Sequence, residues 1–283
     1  MKGGSAPLAA FVGTTPNIGT TTAAYAAALR IAEHSKAQVG FLCLHLKSAK
    51  LHRFIGVDEP AISLDGLQPE LRSAALSAEM LRSACYTVPQ QPNLRVLFGN
   101  LNREGAEFVG PEEIGHLLDV AAAAFSFVVV DVGAYWDNAA TVCSLQRADS
   151  RILLTTAALS HFQEDGHRWI SGVSPLFNIL PSQYDCIVIQ NQWGRGGYSV
   201  REICKELGVK PLGEFHLKET MFNALDKGNY SHWLKHDPDG KEAMKKTAMR
   251  LMERHGAVPS FPAISKQPWY RKLMTHRNGV SSS

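Results

Sequence analysis

Residues 11–25, FVGTTPNIGTTTAAY, decide the fold. An apolar, β-prone run at 8–12 leads into a turn of Gly, Thr, Pro and Asn, and then into an Ala-rich segment at 23–31 with strong helix propensity. Strand, loop and helix in that order turn backbone N–H groups and a first helical turn toward a concave anion site. The spacing matches the phosphate-loop pattern G-x-x-x-x-G-K-[ST], with residues 14–19 followed by Thr20 and Thr21. Two residue types depart from it: Thr20 stands where the phosphate-binding Lys belongs, and Thr14 where the first Gly belongs. The bend at Gly19, the helix N-terminus and three hydroxyls survive. Asn17, Ile18, Gly19, Thr20, Thr21 and Thr22 are therefore the candidate phosphate-binding residues, with Thr21 placed to ligate Mg²⁺. The same residues also suit a plain Gly/Thr turn between a core strand and a core helix.

Outward from this stretch, strands are expected at 38–46, 94–98, 127–130, 151–155, 185–190 and 211–215. These runs are nearly continuously apolar rather than alternating, which is the pattern of strands buried on both faces. Helical spacing falls between them, at 70–84 (through Leu71, Ala74, Ala75, Met80 and Leu81), 112–124, 138–146, 163–177, 200–207, 219–227 and 241–255. The expected fold is α/β: a single doubly wound, mostly parallel sheet of about seven strands with helices on both faces, spanning residues 1–256. A basic-aromatic tail at 257–283 follows. In such sheets ligands lie at the carboxyl ends of strands, where the strand order reverses. The loop after the first strand, 45–47, 131–133 and 191–197 all fall at such ends.

Composition narrows the class. Hydrophobic residues at 45% and charged residues at 19% describe an ordinary globular chain, and a net charge of +3 gives no electrostatic case for nucleic acid. The five cysteines are odd in number, widely spaced and free of any C-x-x-C pair, so reduced thiols are expected rather than a disulfide framework or a zinc site. No signal peptide is expected, because the N-terminal apolar run is already the first strand. The most apolar stretch, 120–132, is broken by Ser126 and too short to span a bilayer.

The order of motifs resembles the ParA/MinD family of deviant P-loop ATPases, and within it the CpaE/TadZ branch associated with Tad-type (Flp) pilus assembly. GTTPNIGTTT at 13–22 lies position for position on that branch's G-A-K-G-G-V-G-S-S-T motif. The family's second Lys, which crosses a dimer interface to the partner's nucleotide, falls on Thr15, and the paired glycines fall on Pro16 and Asn17. LCLHLKS at 42–48 resembles the second-strand segment L-L-D-L-D-L-Q, but its two acids fall on His45 and Lys47. VVVDVGAY at 128–135 puts Asp131 where the family's magnesium-facing Asp stands, with Gly133 in place of the usual Pro. IVIQNQWGRGG at 187–197 puts Asn191 at the adenine-reading Asn. The resemblance implies ATP or ADP with Mg²⁺, the metal held through Thr21 and Asp131. It further implies a homodimer, pilus or secretion machinery as partners, and a cytoplasmic location, at the inner face of the membrane or the cell pole.

The departures bear on activity. Phosphoryl transfer is mostly positioning and stabilisation of charge, and a cation in that role is worth roughly 10³ to 10⁵ in rate. Loss of both lysines and of the water-positioning acid leaves binding less damaged than hydrolysis, because amides and a helix dipole need no side-chain charge. Lys47 and Arg195 are the candidate substitute cations. No confident catalytic residue emerges. The polar group His161, Glu164, Asp165 and His167 reads as a solvated helix face rather than a metal cluster. At 267–277, QPWYRKLMTHR, helical spacing would put Trp269, Tyr270, Leu273 and Met274 on one face, which suits peripheral membrane contact or a docking tail. The leading expectation is a degenerate, weakly catalytic or non-catalytic nucleotide-binding protein acting as a pilus localisation or assembly factor. An active Mg-ATPase with substitute residues and a DNA-partition protein are the alternatives.

Overall fold

Eight strands form one sheet in the order β3-β4-β2-β5-β1-β6-β7-β8 in a computed structural model that describes residues 5–35, 37–47, 49–190 and 197–257. They are β1 (Leu8–Gly13), β2 (Val39–Cys43), β3 (Tyr86–Thr87), β4 (Leu94–Leu97), β5 (Phe127–Asp131), β6 (Ser150–Thr156), β7 (Tyr184–Gln190) and β8 (Lys210–His216). Every pairing is parallel except that of β3 with β4. This is the expected α/β sheet, with the two-residue antiparallel edge strand β3 added to it.

The apolar runs explain the layering. Along β1 and β5, Ala10, Val12, Val128 and Val130 face one core layer, while Ala9, Phe11, Phe127 and Val129 face the other. Alternation thus buries both faces, which is why these strands read as unbroken apolar sequence. Helix α1 (Thr20–His34) is the Ala-rich segment, and its small side chains let it lie against β1, β2 and β5 with almost every residue buried. The strand order reverses at β1, flanked by β5 and β6. The carboxyl ends of β1, β2 and β5 therefore converge, and the loops that leave them share one edge.

Several expected elements differ in detail. β2 stops at Cys43 rather than 46, so His45 and Lys47 lie in the following loop. The helix expected over 70–84 is two, Gln68–Arg72 and Ala78–Ala84, broken at Ala74 with φ 53. Its buried residues are Leu71, Leu76, Leu81 and Ala84; Ala74, Ala75 and Met80 are exposed. The helix expected over 241–255 is likewise split at Met244, φ 59, into Pro238–Glu242 and Lys245–Arg254. Segment 160–177 is helical, but with wide π-type turns from Ser160 to Val173 and a tight 3₁₀ end at Ser174–Phe177. Gly166 lets it pack closely on the Val200–Leu207 helix: a side-chain carbon there would lie 2.8 Å from Leu207 Cδ2.

A helix at Tyr230–His236, absent from the sequence expectations, closes over α1. Tyr230 donates its hydroxyl to the Thr22 carbonyl at 2.9 Å, and the Tyr25 and Ser231 hydroxyls lie 2.6 Å apart. Arg30, 2% exposed on α1, clamps the chain that follows. Its Nη2 donates to the carbonyls of Leu234 and Gly240 at 2.6 Å each, its Nε to that of Ala243 at 3.1 Å, and its Nη1 to Glu33. The clamp secures the chain that follows the Met221 and Phe222 wall of the cavity.

Candidate functional site

The loop after β1 is built as a cradle. Thr14 is buried, its N–H donating to the Leu154 carbonyl at 2.9 Å and its hydroxyl to Thr155 Oγ1 at 3.0 Å. Asn17 takes φ 62 and Gly19 φ 101, the left-handed conformations that turn successive amides inward. Gly19 caps α1 without a side-chain hydrogen bond, leaving the first-turn amides free to meet an anion. Thr22 Oγ1 turns back to the Gly19 carbonyl at 2.8 Å. Thr15 donates to Asp165 Oδ2 at 2.7 Å, tying the loop to the 160–177 segment.

Thr20, at the position of the phosphate Lys, is 8% exposed and folded back under the loop. A side-chain carbon on Gly13 would lie 2.7 Å from Thr20 Oγ1, so the hydroxyl occupies the space beneath the cradle. Thr21 points across to the ends of β2 and β5. His45 Nε2 lies 3.3 Å from Thr21 Oγ1 and 3.3 Å from Asp131 Oδ2. Asp131 is fully buried; Cys43 Sγ donates to its Oδ2 at 3.8 Å, and its Oδ1 has no hydrogen-bond partner among the described residues. Burial pulls the His45 pKa down, but the Asp131 charge and hydrogen bond more than reverse this, so the net shift is upward. Burial and the same carboxylate push the Cys43 thiol well up, which keeps it neutral.

A Mg²⁺ ion at Thr21 and Asp131 needs hard oxygen ligands at about 2.0–2.1 Å in octahedral array. Here Thr21 Oγ1 and Asp131 Oδ2 both face an imidazole nitrogen, Asp131 Oδ1 is sealed from solvent, and Lys47 stands where the second acid is expected. The donor set does not fit the ion. Lys47 itself turns away from the cradle, its Nζ 3.4 Å from Asp137 Oδ2 and 5.5 Å from the Tyr135 ring centre.

The cradle opens into a cavity of about 290 Å³. Its polar end is formed by Thr20, Thr21, Thr22 and His45, and its apolar end by Phe54, Leu217, Met221 and Phe222. Lys50, exposed, also lines it and supplies its lysine. Sequence reasoning missed Lys50; its place just before the short Leu51–Phe54 helix carries no motif signal. Asn191 and Arg195 lie outside the described residues, as does the tail at 267–277. His161, Glu164, Asp165 and His167 do not converge. His161 Nδ1 meets Thr156 Oγ1 at 2.8 Å and His167 Nε2 lies 3.5 Å from Glu206 Oε1, while Asp165 serves Thr15. No group of three metal-ligating side chains occurs among the described residues. The cysteines carry no disulfide, and no described helix is long and apolar enough to cross a membrane.

No protein-family profile matches this sequence, and no curated relative matches it. Solved structures do. A ParA family ATPase from Chlorobium tepidum superposes with a TM-score of 0.75 at 17% identity, over 86% of this chain and 98% of that one. MinD from Pyrococcus horikoshii, complexed with Mg-ADP, gives 0.70 at 18% identity over 90% and 100%. A putative plasmid partition protein from Borrelia burgdorferi, bound to AMPPNP, gives 0.63 at 12% identity over 88% and 99%. The chain has the fold of the ParA/MinD P-loop ATPases.

Proposed function

We propose that this chain binds an adenine nucleotide in the cradle with little or no hydrolysis. In this reading it works as a homodimeric localisation or assembly factor of the CpaE/TadZ kind for a pilus or secretion apparatus. One observation carries the reading: Thr20, at the lysine position, is folded beneath a loop that still turns at Asn17 and Gly19 and still ends in free helix N–H groups. Phosphate binding needs those amides, and fast transfer needs the cation that is missing. Asn17 to Thr22 hold the phosphates, the apolar end of the cavity takes the base with help from Asn191, and Thr21 and Asp131 frame the position at which this fold holds Mg²⁺ in its relatives. A structural neighbour from Aquifex aeolicus was solved as a MinC:MinD complex, so this fold is one that enters protein assemblies, which is the analogy behind the assembly role.

The working test joins phosphate release with sedimentation velocity, run with and without ATP. The expected outcome is a nucleotide-stabilised dimer and phosphate release at the level of a protein-free control. Mg²⁺-dependent turnover that disappears in Asp131→Ala would replace this reading with an active ATPase, for which Lys50 is the cation already at the cavity. For the assembly role, a fluorescent fusion is expected to concentrate where pili emerge; a diffuse signal, with pili intact after deletion of the gene, would refute it.

A further inference from the structure

We propose that the cradle takes its nucleoside phosphate without a divalent cation, the His45 imidazole standing where this fold would hold the metal. The inference rests on the nucleotide-binding reading above and specifies how the phosphate is met. Its basis is the shared nitrogen: His45 Nε2 is 3.3 Å from Thr21 Oγ1 and 3.3 Å from Asp131 Oδ2, while the remaining carboxylate oxygen, Asp131 Oδ1, is sealed from solvent. To bind the first two oxygens, an ion must first displace the ring from both.

The ring is held in place from its own backbone. Leu44 N donates to the Asp131 carbonyl at 2.8 Å and Asn100 N to the His45 carbonyl at 3.1 Å, so the residue is fastened to β5 on one side and to the chain after β4 on the other. Asn100, 2% exposed, adds a side-chain bond to the Leu46 carbonyl at 3.1 Å. The imidazole packs over Gly133, where a side-chain carbon would lie 3.5 Å from its Nδ1. The loop that carries His45 is thus a built support rather than a free arm.

Among the described residues, the second acid position supplies no replacement carboxylate. Lys47 occupies the other acid position, and its ammonium is engaged with Asp137 and the Tyr135 ring beside the same edge. A divalent cation gains nothing from an ammonium neighbour. The groups left to meet phosphate oxygens are the amides at the start of α1 and the Lys50 ammonium. Each of these donates hydrogen bonds or positive charge, and neither requires a bridging metal.

The test is a titration of the full chain with the fluorescent analogue mant-ADP, once in millimolar MgCl₂ and once in EDTA. The expected result is binding of equal strength, within about threefold, in both buffers, corresponding to less than about 1 kcal/mol of linkage to the metal. In His45→Asp, which exchanges the ring for a carboxylate, Mg²⁺ is expected to tighten binding by about tenfold or more. His45→Asn, which takes the ring off Thr21 Oγ1 and Asp131 Oδ2 without adding charge, is expected to gain a Mg²⁺ dependence smaller than that of His45→Asp, and circular dichroism of both variants serves as the folding control. Binding by the wild-type chain in MgCl₂ that is lost in EDTA would overturn the inference while leaving the nucleotide reading intact. Absence of binding in both buffers would instead overturn the nucleotide reading, and this inference with it.

Discussion

His45 Nε2 lies 3.3 Å from Asp131 Oδ2, and this contact joins the loop after β2 to the buried end of β5. Asp131 is fully buried, so its carboxylate depends on that neighbour and on the Cys43 thiol. Asp131→Ala is expected to leave the imidazole without its counter-group and to lower stability by about 1–3 kcal/mol. Urea unfolding followed by circular dichroism checks this. An unchanged midpoint would mean that the pair contributes nothing to the fold.

Gly19 takes φ 101 at the start of α1, and an added side-chain carbon would come within 3.3 Å of Leu217 Cδ2. Gly19→Ala therefore strains the backbone, at a cost of about 1–3 kcal/mol, and tilts the amides that form the cradle. The expected outcome is weaker mant-ADP fluorescence binding alongside a lower unfolding midpoint. Undiminished affinity would show that the phosphates, if bound, lie elsewhere.

Arg30 satisfies three carbonyls of the chain between Leu234 and Ala243. Arg30→Met keeps the aliphatic stem but leaves those acceptors unpaired, and a loss of about 3 kcal/mol or more is expected. Because that segment follows the Met221 and Phe222 wall of the cavity, faster amide exchange is also expected across 217–243.

His255, lowered like His34 and His52, contributes a pH dependence of definite sign. Burial lowers its pKa, the Asp149 charge partly opposes this, and Arg254 adds to the lowering, while Nε2 sits 2.9 Å from Ser150 Oγ. The unfolded chain binds the proton near pH 6.5, the folded chain only further down, so unfolding takes up protons in between. Stability is expected to fall as pH drops from about 7 toward 5.5, and to fall less in His255→Gln. His45, shifted in the opposite direction, is common to both proteins and cancels in the difference. Parallel pH profiles for the two proteins would contradict the assignment.

Much of the architecture was legible because burial on both faces writes itself as unbroken apolar sequence. The runs around Phe11, Phe41 and Val129 have no other stable home. The edge strand β3 was not legible, since Tyr86 and Thr87 form a run of two. The break at Ala74 escaped notice because Leu71 and Leu81, on the two helices either side of it, enter the same core layer, so the helical pattern continues across the turn. At the site, local residues were legible and distant ones were not. Gly19 and Asp131 announce themselves by spacing; nothing local says that His45 reaches between Thr21 and Asp131, or that Lys47 turns to Asp137 while Lys50 lines the cavity. Those facts belong to the convergence of β1, β2 and β5. Arg30 was hidden for the same reason, its partners lying some two hundred residues away.

The most direct measurement is calorimetric titration of the purified chain with ATP and with ADP, phosphate release being followed in the same samples. Saturable binding of one nucleotide per chain, with no release above a protein-free control, is the predicted result. No heat of binding up to millimolar nucleotide, or steady turnover of the bound ATP, would contradict it.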